Sequence, residues 1–344
     1  MKKTFTVAAA VAACFALGAC GSSDSGDDGG GGSASTGAST TAADTSGMRV
    51  AYASALDPND IADQLGLEKA GAKVDTLTDD SAVVAGLLRD NIDVGNVDFD
   101  AAVKARASGV PIKVIGIAQT KPEYVFVSRP EISSFQQLAG KKVGYHAKGS
   151  QTDIFVNQLV KQQAPDIYDD VDFLALEESS RRAQAMEARR LDASALEAIN
   201  LAALKLEGDY HELGTWASLR GDAQDIVGTA WVTTEDKAGS DRAQLVRLLS
   251  DLQSGYDEFY TDKQAWLDMA REKVPDVDQA LLPEVYESYK RQAMYPRRGT
   301  AAMTPEAFSV NEQFFRDLGE WEDEQPDELV DYGILDAGAG VSGR

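Results

Sequence analysis

The sequence of 344 residues has little of several residue types that characterise common protein classes. Its two cysteines, Cys14 and Cys20, both lie in the first twenty residues, which leaves the rest of the chain without disulfides or cysteine metal ligands. Its two histidines, His146 and His211, do not have metal-ligand spacing. Lys and Arg number 33 against 56 Asp and Glu, for a net charge of −23. Because nucleic-acid binding needs a basic surface, this composition excludes a nucleic-acid partner.

Motifs of the common enzyme classes are also missing. The sequence has no G-x-S-x-G, no P-loop and no G-x-G-x-x-G after a predicted strand. Acidic pairs such as Asp98 and Asp100 are too frequent in a chain this acidic to indicate catalysis. We therefore predict a protein that is not an enzyme and that has no cofactor and no metal site.

The first twenty residues indicate export. MKKT is positively charged, and the apolar run Phe5–Leu17 is too short for a stable membrane span. The run ends in Leu-Gly-Ala-Cys at residues 17–20, which resembles a bacterial lipobox. That resemblance implies a lipoprotein signal peptide at 1–19, lipidation (palmitate included) of Cys20, and anchoring on the extracytoplasmic face of the cell membrane. The alternative is an ordinary secretory signal cut near Ala19.

Residues 20–47 consist almost wholly of Gly, Ser, Thr, Ala and Asp after the cysteine. Such a composition buries too little apolar surface to offset chain entropy, so we predict a flexible tether. Folded structure is expected from Met48, with a first helix at Leu56–Gly66 ended by its glycine. The C-terminal part from Thr234 is predicted to be helical, and the tail after Glu320 is expected to fray.

The stretch Ala82–Ala118 is the most informative part of the chain. Its pattern predicts helix, strand, helix and strand in turn, with capping residues at Asp98–Asp100 and a break at Pro111. This alternation is typical of an α/β protein with mainly parallel sheets. Ligands of such sheets bind beyond the carboxyl ends of the strands, which here means near Asp98–Asp100 and Gln119–Thr120.

The run AGLLRDNIDVGNVDFDAAVKARASGVPIKVIG resembles the solute-binding proteins of ABC importers, in the branch that binds sulfonate, nitrate, taurine and thiamine precursors. The resemblance implies a two-lobed fold like that of type II periplasmic binding proteins, with two mixed or parallel sheets flanked by helices and a ligand cleft between the lobes. Lobe 1 would comprise residues 48–120 and 229–344, and lobe 2 residues 121–228. The chain would cross between them near Lys121–Ser128 and Ile226–Thr233.

The candidate ligand-binding residues lie in loops after predicted strands. Ser150 and its neighbours begin a helix whose free N–H groups suit an anion, although plain helix capping explains the same residues. Glu197 is placed in the cleft by the resemblance, but Leu196 and Ala198 stand where the family commonly has an aromatic residue and a proline. The full set of candidates is Ser54, Asp98, Phe99, Gln119, Thr120, Gly149, Ser150, Gln151, Thr152 and Glu197.

The resemblance implies a monomeric receptor that captures a small organic solute and delivers it to the permease subunits of an ABC importer. A taurine- or sulfonate-like solute is the leading expectation. A nitrogenous heterocycle resembling a pyrimidine or flavin is the alternative, because Asp98 and Glu197 would repel a pure anion. A surface lipoprotein that docks another protein is the alternative of a different class.

Overall fold

A computed structural model describes residues 43–148, 150–205, 208–219, 226–317 and 328–341. The predicted signal peptide, Cys20, the tether up to residue 42, and Gly149 lie outside the described residues. Packed structure starts slightly before Met48. Thr45 is buried, and its hydroxyl donates a 2.9 Å hydrogen bond to the Ala70 carbonyl.

The described chain alternates strands and helices up to residue 240 and is helical afterwards. The strands are β1 (Arg49–Tyr52), β2 (Lys73–Thr76), β3 (Val94–Asp98), β4 (Ile112–Ile117), β5 (Val125–Ser128), β6 (Lys142–Tyr145), β7 (Asp172–Ala175), β8 (Ala193–Leu196), β9 (His211–Thr215) and β10 (Thr229–Thr234). The helices are α1 (Ile61–Ala70), α2 (Asp80–Leu88), α3 (Phe99–Ala107), α4 (Gln151–Gln163), α5 (Ser179–Glu187), α6 (Ala198–Ala202), α7 (Glu235–Ser240), α8 (Arg242–Thr261), α9 (Lys263–Lys273), α10 (Leu282–Gln292), α11 (Pro305–Asp317) and α12 (Tyr332–Ala339).

Ten strands form two five-stranded sheets. The first has the order β2-β1-β3-β10-β4, and the second β7-β6-β8-β5-β9. In the first sheet β2, β1 and β3 are parallel, with Val50 opposite Val94, while β10 runs antiparallel to both β3 and β4. In the second sheet β7, β6 and β8 are parallel and β5 is antiparallel to β8 and β9. The predicted α/β class with two mixed sheets is confirmed.

The two antiparallel strands follow the two segments that connect the sheets. Residues 118–124 lead from β4 to β5, and the chain returns through Ile226–Gly228 to β10. The segments are hydrogen-bonded to each other: Gly228 N donates to the Gln119 carbonyl at 3.0 Å, and Ala118 N donates to the Thr229 carbonyl at 3.0 Å. Both connections therefore run side by side next to the strand ends of the first sheet.

Helices cover both faces of each sheet. One face of the first sheet packs on α1, α8, α9 and α10, and the other on α2, α3 and α12. The second sheet is covered by α4 on one face and by α5 and α6 on the other. The aromatic residues of α8 and α9 belong to this core, among them Tyr256, Phe259, Tyr260 and Trp266.

The predicted end of the first helix at Gly66 is wrong. The helix α1 continues to Ala70 and ends at Gly71, whose φ of 66° is left-handed. Gly66 instead lies against α8, where a Cβ atom would be 2.4 Å from Leu252 Cα. The glycine allows two backbones to approach closely, so it is a packing residue and does not end the helix.

The tail contains more structure than the sequence predicted. Val330 makes a parallel bridge with Val114 at the edge of the first sheet, and α12 follows. Asp331 caps α12 by accepting a 2.9 Å hydrogen bond from Ile334 N, and it forms an ion pair with Arg242. Residues 342–344 lie outside the described part of the chain. Within the described ranges, no helix has the length and apolar character needed to span a membrane.

Candidate functional site

A polar cavity lies at the carboxyl ends of β1 and β3, the edge at which ligands bind in sheets of this type. It has a volume of about 140 Å³. A single water needs roughly 10 to 15 Å³ of such space, so a small organic solute can be accommodated. The lining residues are Tyr52, Ala53, Ser54, Asp57, Asn59, Asp60, Asp80, Asn96, Val97, Asp98, Gln119, Pro122, Glu123, Tyr124, Gln151 and Thr229.

The cavity collects residues from distant parts of the chain. The strands of the first sheet or the residues after them provide Tyr52, Asn96 and Gln119. The connection to the second sheet provides Pro122–Tyr124, and the start of α4 provides Gln151. Side chains attached to both sheets therefore meet at one cavity, where relative movement of the sheets would change its shape.

Four predicted site residues line this cavity: Ser54, Asp98, Gln119 and Gln151. Phe99 does not, because it is fully buried in the core and packs edge-on against Phe308. The hydroxyl of Thr120 donates at 3.0 Å to the carbonyls of Ala293 and Met294, and this residue lines a separate cavity.

The predicted anion loop mainly caps its own helix. Ser150 Oγ accepts hydrogen bonds from Asp153 N and Ala147 N, both at 3.3 Å. Thr152 is buried, and its Oγ1 accepts a 2.8 Å hydrogen bond from His146 N. The capping interpretation accounts for both hydroxyls, so Gln151 is the described residue of this loop that reaches the cavity.

A first group of acidic residues surrounds Glu123. Glu123 accepts hydrogen bonds from Asn59 Nδ2 at 2.8 Å and from the Tyr289 hydroxyl at 2.9 Å. Burial and the nearby Glu197 raise the pKa of Glu123 to about 8. Burial, with repulsion by Asp57, raises the pKa of Glu197 to about 6. Glu197 is thus close to the cavity electrostatically, although it is not part of its lining.

A second group lies at the end of β3. Asp80 Oδ1 accepts a 3.2 Å hydrogen bond from Asp98 N. Burial, together with repulsion by Asp100 and Asp79, raises the pKa of Asp80 to about 6. The Asp98 side chain is open to the cavity but closely surrounded by protein on its other sides, and this burial together with Asp80 and Asp100 raises its pKa. The site carries protons at a pH where free carboxyl groups have lost them.

The basic side chains that act electrostatically on these acidic groups, Arg182 and Lys104, make contacts elsewhere. Among the described residues that line the cavity, none is Lys or Arg. Arg182, which acts electrostatically on Glu197, is buried and donates to the backbone carbonyls of Ala195, Leu176 and Glu177 at 2.7 to 3.0 Å. Lys104, which acts on Asp98, forms a 3.1 Å ion pair with Asp100.

Three lining residues carry buried polar atoms without a hydrogen-bond partner. They are Asn59 Oδ1, Asn96 Nδ2 and Thr229 Oγ1. Only five such atoms occur in the described part of the chain, so most of them are concentrated at this cavity. A buried polar atom without a partner costs about 1 to 3 kcal/mol. These atoms are therefore suited to a ligand that supplies the missing partners.

The model of the NMT1/THI5-like family matches residues 61–265, which is more than half of the chain. The chain belongs to the NMT1/THI5-like family. The family resemblance predicted from the sequence is thereby confirmed. A search of curated protein sequences gave no significant match.

Solved structures with the same fold include binding proteins of ABC importers. The aliphatic sulphonate binding protein SsuA from Escherichia coli is 15% identical, with 82% of this chain and 90% of that chain covered and a TM-score of 0.63. The nitrate-binding protein NrtA from Synechocystis PCC 6803 is 10% identical, covering 86% and 88%, with a TM-score of 0.62. A zinc-bound ligand-binding component of an ABC-type import system from Staphylococcus aureus is 11% identical, covering 84% and 97%, with a TM-score of 0.64.

This NMT1/THI5-like chain has no group of three or more His, Cys, Asp or Glu side chains arranged for a metal ion among its described residues. His211 Nε2 lies 3.1 Å from the Pro130 carbonyl and His146 Nδ1 contacts the Glu177 carbonyl, so both histidines have structural contacts.

Sequence analysis did not identify several lining residues of this NMT1/THI5-like chain. Asn96 precedes the predicted ligand loop by two residues, and its position near the end of a strand was a usable signal. Glu123 and Tyr124 lie in a segment interpreted only as a connection between lobes. Thr229 comes from the returning strand, whose place between β3 and β4 depends on tertiary pairing.

Proposed function

We propose that this protein is the solute-binding receptor of an ABC importer, which captures a small organic solute in the cavity described above and delivers it to permease subunits. The observation that supports this proposal is the polar cavity shared by residues attached to both sheets, with buried polar atoms that lack partners. The family and the fold are consistent with this role.

Binding would work by replacing the hydration shell of the solute with fixed protein groups. The two connections between the sheets lie side by side, which suits a hinge between lobe 1 (48–120 and 229–344) and lobe 2 (121–228). Closing around a solute would bring Gln151 and Tyr124 over it and exclude water. Weak closure without a ligand and stable closure with one would let a permease distinguish the two states.

The proposal includes export and anchoring through Cys20, which would hold a monomeric receptor on the extracytoplasmic face of the membrane. A lipid at residue 20 followed by a flexible tether would leave the folded part free to meet its permease. In this role the protein binds its solute without chemical conversion. The competing role, a surface lipoprotein that docks another protein, does not account for unpartnered polar atoms at a small cavity.

Two classes of solute were expected, a taurine- or sulfonate-like compound and a nitrogenous heterocycle. The cavity lining supports a solute that bears nitrogen, because its charged groups are carboxyls. Asn59 Oδ1 and Thr229 Oγ1 can accept from N–H groups, while Asn96 Nδ2 can donate to an acceptor on the same solute. This donor and acceptor set is that of an amino-substituted heterocycle or an amine.

A thermal-shift screen of the purified protein tests the receptor role. The panel contains taurine, alkanesulfonates, nitrate, pyrimidines, flavins and small amines. A ligand present at 100 times its Kd adds about 2.7 kcal/mol to the free energy of unfolding, which raises the melting temperature of a protein of this size by several degrees. The variant Asp98→Ala should lose this shift while unfolding at a similar temperature without ligand.

The matched control is Asp172→Ala, which removes an exposed carboxylate from β7 in the second sheet. It should keep the full shift. If Asp98→Ala binds the ligand as well as the unchanged protein does, the cavity at the end of β3 is not the binding site. If a folded protein responds to no compound of the panel, the receptor proposal is contradicted and the docking role gains support.

A further inference from the structure

The described charged residues that line the cavity are all acidic. Asp57, Asp60, Asp80, Asp98 and Glu123 all belong to its lining. Asp60 and Glu123 are less than a tenth exposed, so burial strengthens the field that they produce inside the cavity. The described lining residues can carry only negative charge, and the carboxyls that hold protons carry it once they are ionised.

None of the described residues that line this cavity offers an anionic group a positive partner. Arg182 donates three of its five N–H groups to backbone carbonyls and does not line the cavity, and Lys104 is paired with Asp100. A sulfonate or nitrate would have to be desolvated next to several carboxyls, and repulsion would be added to the cost of desolvation. The geometry disfavours an anion.

Two further observations point to a bound polar ligand, and the second of them favours positive charge on it. Asn96 is 6% exposed, and its Nδ2 has no partner in a cavity that is otherwise ready for a polar solute. Tyr124 also lines the cavity, and Asp98, Glu123 and Glu197 all act electrostatically on its phenol. An aromatic ring surrounded by carboxyls attracts a cation through its face as well as through the carboxyl charges.

We propose that the solute carries a protonated nitrogen, as an ammonium, amidinium or protonated ring nitrogen, which is held between Asp98, Glu123 and the Tyr124 ring. This inference rests on the proposed receptor function and specifies the charge of its solute. Asn59 Oδ1 and Thr229 Oγ1 accept additional N–H groups of the solute, and Asn96 Nδ2 donates to an acceptor elsewhere on it. The receptor thereby selects against the anions that its fold relatives SsuA and NrtA bind according to their names.

Binding of such a solute is coupled to proton release. The titratable groups that act on or with Glu123 are Asp57, Asp60, Tyr124, Glu197, Tyr289 and Tyr295, and those around Asp98 are Asp80, Asp100, Lys104 and Tyr124. Burial raises the pKa of Glu123 to about 8, so this carboxyl holds its proton at neutral pH, and burial raises the pKa of Asp98 as well. A cation stabilises their ionised forms and expels the protons, so its affinity increases as the pH rises from 5.5 to 8.

The test is isothermal titration of the purified protein with probes of different charge at pH 5.5, 7 and 8. Agmatine, putrescine and choline represent cations, cytosine a neutral nitrogen heterocycle, taurine a zwitterion, and ethanesulfonate an anion. We expect binding of at least one cation, with affinity at least tenfold higher at pH 8 than at pH 5.5. Repeating the titration in buffers of different ionisation enthalpy should show that binding releases protons.

Variants that remove a charge but keep the shape of the side chain test whether cation binding and its pH dependence arise from the cavity. Asp98→Asn and Glu123→Gln should each weaken cation binding at least tenfold and flatten its pH dependence. Asp172→Asn, which removes one exposed carboxylate outside the cavity, should change neither. Circular dichroism and the melting temperature without ligand show whether each variant is folded. If one cavity variant does not fold, the other still decides the outcome.

Each outcome separates this inference from the receptor function. Binding of ethanesulfonate or taurine without binding of any cation would overturn the inference and retain the receptor. Cytosine binding with a flat pH profile would do the same. A folded protein that binds none of the probes in the cavity would contradict the receptor function and the inference together.

Discussion

The contact between α1 and α8 gives a sharp test of the packing argument. Gly66 of α1 and Gly255 of α8 face each other, and a Cβ on Gly255 would be 2.5 Å from Gly66 N. A Cβ on Gly66 would be 2.4 Å from Leu252 Cα and 2.6 Å from the Asp251 carbonyl oxygen. The obstructing atoms belong to backbone, which cannot rotate away. The variant Gly66→Ala must therefore push the two helices apart.

The size of the effect follows from two opposing terms. Alanine is better than glycine inside a helix by about 0.8 to 1 kcal/mol. Against that, carbon atoms prefer contacts of about 3.5 to 4.0 Å, so α1 and α8 must separate by roughly 1 Å, and a gap of this size loses a quarter to a half of the dispersion energy of each contact. Overpacking of this kind costs about 1 to 3 kcal/mol and sometimes more. We expect Gly66→Ala to lower the free energy of unfolding by about 2 kcal/mol.

Urea unfolding followed by circular dichroism measures this change. The matched control is Gly239→Ala in α7, where a Cβ meets no atom within 4 Å. That variant should be as stable as the unchanged protein, or more stable by up to about 1 kcal/mol, from helix propensity alone. If Gly66→Ala were stabilising to the same extent as the control, close backbone contact would not be the reason for a glycine at residue 66.

Two further predictions concern pH and charge. Burial raises the pKa of Asp63 to about 7 and that of Glu123 to about 8 in the folded protein. The folded state therefore binds these two protons more tightly than the unfolded state does, and deprotonation of either group destabilises the fold. In urea titrations the ligand-free protein should lose stability from pH 5 to 8, by up to about 1.4 kcal/mol per pH unit for each group; a flat profile would contradict this. Asp93 is held ionised by Arg49 and Lys237 at 2.6 Å each, which lowers its pKa, so stability should also fall below pH 4. Asp93→Asn should abolish the loss of stability below pH 4 and should lower the free energy of unfolding at pH 7 by about 1 to 3 kcal/mol. If the variant still loses the same stability below pH 4, Asp93 is not the cause of that loss.

Local patterns were sufficient for the order of elements. The alternation in Ala82–Ala118 predicted α2, β3, α3 and β4, and the structure has all four within about two residues of the expected positions. The cap residues explain this accuracy, since a cap acts through hydrogen bonds within one turn. Asp262, for example, accepts from Gln264 N and Ala265 N at 3.0 Å and separates α8 from α9.

Other features depend on neighbours that are distant in sequence. Gly66 has the pattern of a helix end, but α8 decides that it is a contact point. Phe99 follows a predicted ligand loop, yet packing against Phe308 places it in the core. The α12 helix is short, and its position depends on the bridge between Val330 and Val114. These contacts join residues that are far apart in the chain, so a short window of sequence contains no signal for them.

The sequence by itself determined the α/β class, because periodicity, caps and the order of strands and loops are local properties, and its resemblance to known binding proteins indicated the family. The same order pointed to the strand ends beside which the candidate cavity lies. The tertiary structure alone decided which side chains form the cavity. Glu123, Asn96 and Thr229 come together only after a connection, a parallel strand and a returning antiparallel strand have packed. The raised pKa of Glu123 and the unpartnered atoms of Asn96 and Thr229 arise from burial and from neighbours across those elements, which a linear pattern does not contain.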